Sequence, residues 1–97
     1  MQSGDTAAAV DPLREAVASY TVTLGAEHGW TADAESVLGG ALTSTGQFAE
    51  AEQFLLSGYQ KLRAAGDPDG PFTRQAADRL VGYYERVGRP AEAERYR

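Results

Sequence analysis

The chain matches itself at an offset of 42 residues, and this self-similarity limits what it can fold into more than any other feature. Gly46-Gln47-Phe48-Ala49-Glu50-Ala51-Glu52 recurs as Gly88-Arg89-Pro90-Ala91-Glu92-Ala93-Glu94, and 88 − 46 = 42. The same step pairs Trp30 with Phe72, Ala34 with Ala76, Leu38 with Leu80 and Gly40 with Gly82. One step back from Gly46 reaches Gly4, with Leu13 under Leu55 and Ala16 under Gly58. A period of this length marks stacked supersecondary units, none of which buries its apolar face alone.

Each unit reads as two helices. Over 31–44, Ala34, Val37, Leu38, Ala41 and Leu42 fall at the spacing of one helical face. Gly46 then stops the helix, because glycine takes positive φ without steric cost. A second helix over about 48–64 carries Phe48, Ala51, Leu55, Tyr59 and Leu62 on one stripe. Asp67-Pro68-Asp69-Gly70-Pro71 reads as a connector. The first helix is repeated from Thr73 to about Val87, with Ala76, Ala77, Leu80, Val81, Tyr84 and Val87 apolar, and a short last helix follows Pro90. Upstream, Asp11-Pro12 reads as the N-cap and first residue of a helix over 12–26, with Leu13, Ala16, Val17, Tyr20 and Leu24 inward. The expected fold is therefore all-α: a superhelix of antiparallel hairpins with about five helices. It forms one domain over 1–97, divided into a partial repeat 1–29, a repeat 30–71 and a terminal repeat 72–97. Trp30 and Phe72 are expected to plug successive repeat junctions. The missing first helix implies either a fragment of a longer array or an end covered by a partner. An open N-terminal face bearing Val17, Tyr20 and Leu24 would favour self-association.

Composition removes several function classes. The chain has no cysteine and one histidine, His28, which excludes thiolate zinc sites, cysteine nucleophiles and multi-histidine metal centres. No apolar run approaches the roughly 18 residues of a membrane span, and the N-terminus lacks the regions of a secretory signal. A cytoplasmic location is expected. Residues 1–57 hold one base and eight acids (1 − 8 = −7), whereas 58–97 hold eight bases and six acids (8 − 6 = +2). A net charge of −5, with no basic stripe, makes nucleic acid an unsuitable partner.

The residues resemble the tetratricopeptide repeat family. Leu38-Gly39 matches the leucine-glycine pair of the family's first helix, Gly46 the inter-helix glycine and Ala51 the alanine of the second helix. Phe48 and Leu55 occupy its large apolar positions, and Leu80, Tyr84, Gly88 and Ala93 repeat the pattern. Glu35 and Ala77 stand where the family often has tryptophan, Val81 replaces the small glycine, and the period exceeds the usual figure of about 34. The extra length lies between units, as in the longer repeats of kinesin light chains. From Ser36 to Arg97 the chain also looks like the repeats that follow many bacterial serine/threonine protein kinase domains. None of the kinase signatures is present: no glycine-rich phosphate loop, no HRD and no DFG. The resemblance implies a protein-binding scaffold without catalysis or cofactor. The alternative is the non-catalytic C-terminal tail of such a kinase or of another multidomain signalling protein.

The resemblance also implies a concave groove lined by one face of each first helix. In this chain that face is Asp33, Ser36, Gly40, Thr43 and Ser44, then Gln75, Asp78, Arg79, Gly82, Glu85 and Arg86. Gly40 and Gly82 either serve curvature or close packing of successive helices or bare the backbone for an extended peptide. Asp78 can pair with Arg79 or Arg86. These two arginines, seven residues apart, are the expected anchors for a carboxylate or acidic peptide. Catalytic readings are poorer. His28 reads as a cationic helix C-terminal cap or an exposed loop residue, and Asp67, Asp69 and Asp78 miss the glycine that a calcium loop needs at its sixth position. Glu50/Glu52 and Glu92/Glu94 are carboxylates two apart, which do not face each other on a helix.

Overall fold

The computed structural model describes residues 3–65 and 69–97. Among them are five α-helices and no strand: α1 (Ser3–Leu24), α2 (Gly29–Ser44), α3 (Phe48–Ala64), α4 (Pro71–Arg86) and α5 (Pro90–Ala93), the last running into a 3-10 turn over Glu94–Tyr96. The fold is all-α, as expected. α1 packs on α2, α2 on α3, both α2 and α3 on α4, and α4 on α5.

The two repeated turns share one hydrogen-bond pattern. The Gly46 N–H donates to the Thr43 carbonyl (3.1 Å) and the Gln47 N–H to that of Leu42 (2.9 Å). Forty-two residues on, Gly88 donates to Glu85 (3.2 Å) and Arg89 to Tyr84 (2.7 Å). This pairing of the residues after the cap with the last-turn carbonyls is the Schellman arrangement, and it requires a left-handed residue at the glycine. Gly46 and Gly88 supply it with φ of 84° and 79°.

Of the two apolar clusters among the described residues, the smaller joins Ala32, Leu62 and Ala76, and the larger runs through the helices. Leu38, Leu42, Ala51, Leu55, Leu80, Tyr83, Tyr84 and Ala93 are buried together, with Leu13, Val17 and Phe48 packed against them. Two glycines set how closely α2 and α3 approach. A Cβ on Gly39 would lie 2.6 Å from Leu55 Cγ, and one on Gly58 would lie 2.7 Å from the Ala32 carbonyl oxygen. Gly39 thus does what its place in the repeat implies; Gly58, in the middle of α3, is its unforeseen counterpart. Glu35, at the position where tryptophan was absent, is buried in the same hairpin. It accepts from Ser57 (2.8 Å) and pairs with Lys61 (3.2 Å).

Several expectations need correction. Asp11-Pro12 does not start a helix: α1 begins at Ser3 and carries Pro12 inside it. The ring removes the N–H that would bond the Ala8 carbonyl, but Ala8 is exposed, so water can serve that carbonyl. Upstream, the alanines favour helix, and buried Val10 anchors the turn before the proline. α1 ends at Leu24 because Gly25 turns away at φ 102°. Pro71 belongs to α4 as its first residue, with Gly70 as N-cap, and Asp67 and Pro68 lie outside the described residues. Trp30 and Phe72 plug no junction: they are 63% and 51% exposed, since each sits in the opening turn of its helix, where cover comes from one side only. The N-terminal face is less open than expected. Val17 packs on the core and Leu24 is half-buried, leaving Tyr20 partly exposed and Val22 outside.

Candidate functional site

The eleven residues expected to line one groove are dispersed, with Ser44 exposed at the end of α2 and Glu85 held by Arg97. Ser36, Gly40 and Arg79 form the junction of α2 with α4. Ser36 is fully buried, and Arg79 Nη1 donates to its hydroxyl at 2.9 Å. The aliphatic stem of Arg79 lies over Gly40, where a Cβ would be 3.6 Å from Arg79 Cδ. Arg79 is therefore an inter-helix tie, and Gly40 is covered by a side chain of this chain. Thr43 donates to the Gly39 carbonyl (2.8 Å) within its own helix. Gln75, Asp78, Gly82 and Arg86 form an exposed stripe along α4. There Arg86 lies 5.9 Å from the Phe48 ring centre, Gly82 faces open space, and Asp78 has no ion-pair partner among the described residues. Asp33 stands apart from both groups.

Asp33 lies in a groove of about 470 Å³ that the expected set did not describe. Leu13, Ala16 and Tyr20 of α1 form one wall, while Trp30, Asp33 and Val37 project from α2. Leu62 of α3 and Phe72 of α4 complete it. Among the described residues four large apolar side chains are exposed, and three of them, Tyr20, Trp30 and Phe72, meet in this groove. Tyr20 and Trp30 approach with ring centres 6.5 Å apart. His28 borders the same groove. It is the N-cap of α2, its Nδ1 accepting from the Trp30 N–H at 3.0 Å, and not the C-terminal cap of α1. That bond fixes the first turn of α2 and so the placement of Trp30. The sequence carried a signal for this site: an aromatic residue at the second position of α2 recurs at the second position of α4. Periodicity alone does not say whether a ring at a helix end is covered.

The carboxylate of Asp33 is the unusual group here. Its Oδ1 is buried and has no hydrogen-bond partner. No basic side chain of the described residues pairs with it. Arg14, the only base in residues 1–57, is held by a bidentate contact to Glu50 at the start of α3, with Nη2–Oε1 at 2.9 Å. Lys61 is held by Glu35. The Arg14 hydrogen bond lowers the Glu50 carboxyl below its ordinary value.

A second cleft, of about 510 Å³, is lined by Tyr59, Arg63, Arg74, Arg95, Tyr96 and Arg97, but it already contains counter-charge. Arg95 pairs with Glu92, Arg97 with Glu85 and Glu94, and Asp69 stands in the wall. Behind it, Tyr84 donates to Glu52 Oε2 (2.8 Å) and Tyr83 to the Phe48 carbonyl (3.0 Å). Burial raises both phenols above their ordinary value, and the Glu52 carboxylate adds to the shift. Both act as hydrogen-bond donors that tie α4 to α3. Among the described residues no group of three or more His, Cys, Asp or Glu side chains is placed to hold a metal ion, and no helix is long and apolar enough to cross a membrane.

No family model matches the chain, and no curated protein matches it.

Proposed function

We propose that this chain is a helical repeat module of the tetratricopeptide type that captures a peptide or helix from a partner protein and performs no chemistry of its own. The observation that carries this reading is the gathering of Tyr20, Trp30 and Phe72 around one groove. Exposed aromatic rings over an apolar floor are costly to leave in water and are the residue types that dominate binding energy at interfaces. The recurrence of one turn geometry at the offset of 42 supports the repeat likeness.

The capture site on this reading is the α1–α2 groove, with Asp33 retained from the expected set. Arg79 is occupied by Ser36, which weakens its role as an anchor. Affinity purification from cells, comparing wild type with Trp30→Ala/Phe72→Ala and with Val22→Ala, tests the reading. Proteins bound by wild type and by Val22→Ala should be lost from the double variant. Retention of the same set by the double variant would overturn the groove. A parallel Arg79→Glu/Arg86→Glu variant examines the α4 stripe, and loss there with retention in Trp30→Ala/Phe72→Ala would move the site to α4.

A further inference from the structure

We infer that the groove selects a partner segment in which an arginine or lysine accompanies an apolar anchor, with Asp33 as the counter-ion. This rests on the peptide-capture reading above and adds the chemistry of the captured segment. Trp30, Asp33 and Val37 succeed one another at helical spacing along α2, so the carboxylate stands between two apolar contacts on one stripe. One oxygen of Asp33 is withdrawn from water and receives no hydrogen bond. The charge is shared by both oxygens, so a carboxylate with one oxygen shut off from water is poorly solvated, and a donor arriving along the groove meets it at the part of Asp33 that lines the groove.

A cation meets the need better than a neutral donor. Hydrogen bonds between charged partners are the stronger ones, and the rings of Trp30 and Tyr20 attract a cation near their faces. Among the described residues the groove is lined by no lysine or arginine, and His28 at its border is the N-cap of α2. Residues 1–57 carry a net −7, and their single base, Arg14, is committed to Glu50. Asp11 and Glu15, exposed on α1, and Glu27 in the α1–α2 connection add to a field that draws basic segments and repels acidic ones. The ligand of this groove is thus basic, whereas an acidic one was expected at Arg79 and Arg86 of α4.

The test selects short random peptides displayed on phage against the intact 97-residue protein and against Asp33→Asn, which keeps the side-chain shape and removes its charge. Peptides enriched on wild type are synthesised with their base intact and with glutamine in its place. Binding is followed through Trp30, the only tryptophan in the chain. Wild type should enrich arginine or lysine next to a leucine or aromatic residue. The basic peptide should bind Asp33→Asn about tenfold more weakly, while its glutamine analogue binds both proteins alike. Equal affinity of the basic and glutamine peptides for wild type, or a preference that survives Asp33→Asn, would overturn the role of Asp33 and leave the groove standing. Enriched peptides that leave Trp30 fluorescence unchanged, or no enrichment at all, would overturn the groove itself. A wild-type dimer that shields Trp30 would put a second copy of the chain there and overturn both.

Discussion

The α2–α3 and α4–α5 hairpins are built on one sequence motif, yet they close differently. Their turns agree bond for bond, and Ala51 and Ala93, equivalent residues, are both fully buried. The equivalence ends at the residue opening the second helix. Phe48 packs on the core beneath Tyr83 and Arg86 of the following unit, whereas Pro90 is exposed. The hairpins also differ in how near their helices can come. Gly39 lets Leu55 pass in the first, and Val81 stands at the equivalent place in the second. Turn geometry is a local property that each repeat carries within itself. The cover over an aromatic depends on what the next unit places there.

The largest expected effect is at the close approach. Gly58→Ala should cost about 2–3 kcal/mol in chemical denaturation, because the added methyl meets backbone that cannot swing aside. A cost near zero would show that the α2–α3 hairpin is as loose as α4–α5. Next come the two turns. Gly46→Ala should cost about 1–2 kcal/mol from left-handed strain. Gly88→Ala, with equal strain, should mainly raise amide exchange in α5, and equal global destabilisation by the two would make α5 as integral as α3.

Tyr84→Phe should cost about 1 kcal/mol at neutral pH through the lost bond to Glu52. Its pH dependence has a definite sign. The folded phenol is held above its ordinary value, so its contribution is complete below about pH 10, where the unfolded tyrosine is still protonated. It is lost as the pH rises from there through the folded value. Alkaline titration of stability should therefore fall more steeply for wild type than for the variant, and parallel curves would contradict the burial of this ring. The smallest effects are gains. Gly40→Ala and Gly82→Ala meet only ordinary contact or open space and should each stabilise by roughly 0.5–1 kcal/mol, read as a raised midpoint of denaturation.

The repeated turns, the stripes of α2, α3 and α4 and the glycine at the close approach of α2 were legible because each is written in local spacing. The start of α1 was not. Asp11-Pro12 is a strong local start signal, and it was overridden by a buried valine one residue before it and by helix-forming alanines further upstream. The groove was half-legible: Trp30 and Phe72 announced themselves by their common offset. Their exposure, however, follows from which helix ends lie beside them. Ser36 and Arg79 went astray for the opposite reason, since residues polar enough for a solvent-facing stripe found each other across the α2–α4 junction.

Acrylamide quenching of Trp30 in the dilute monomer bears most directly on the groove. An indole open to solvent, as 63% exposure requires, should be quenched nearly as readily as free tryptophan amide and protected on adding a groove-binding peptide. An indole already shielded in the isolated monomer would mean that the ring seals a repeat junction and that no open aromatic groove exists.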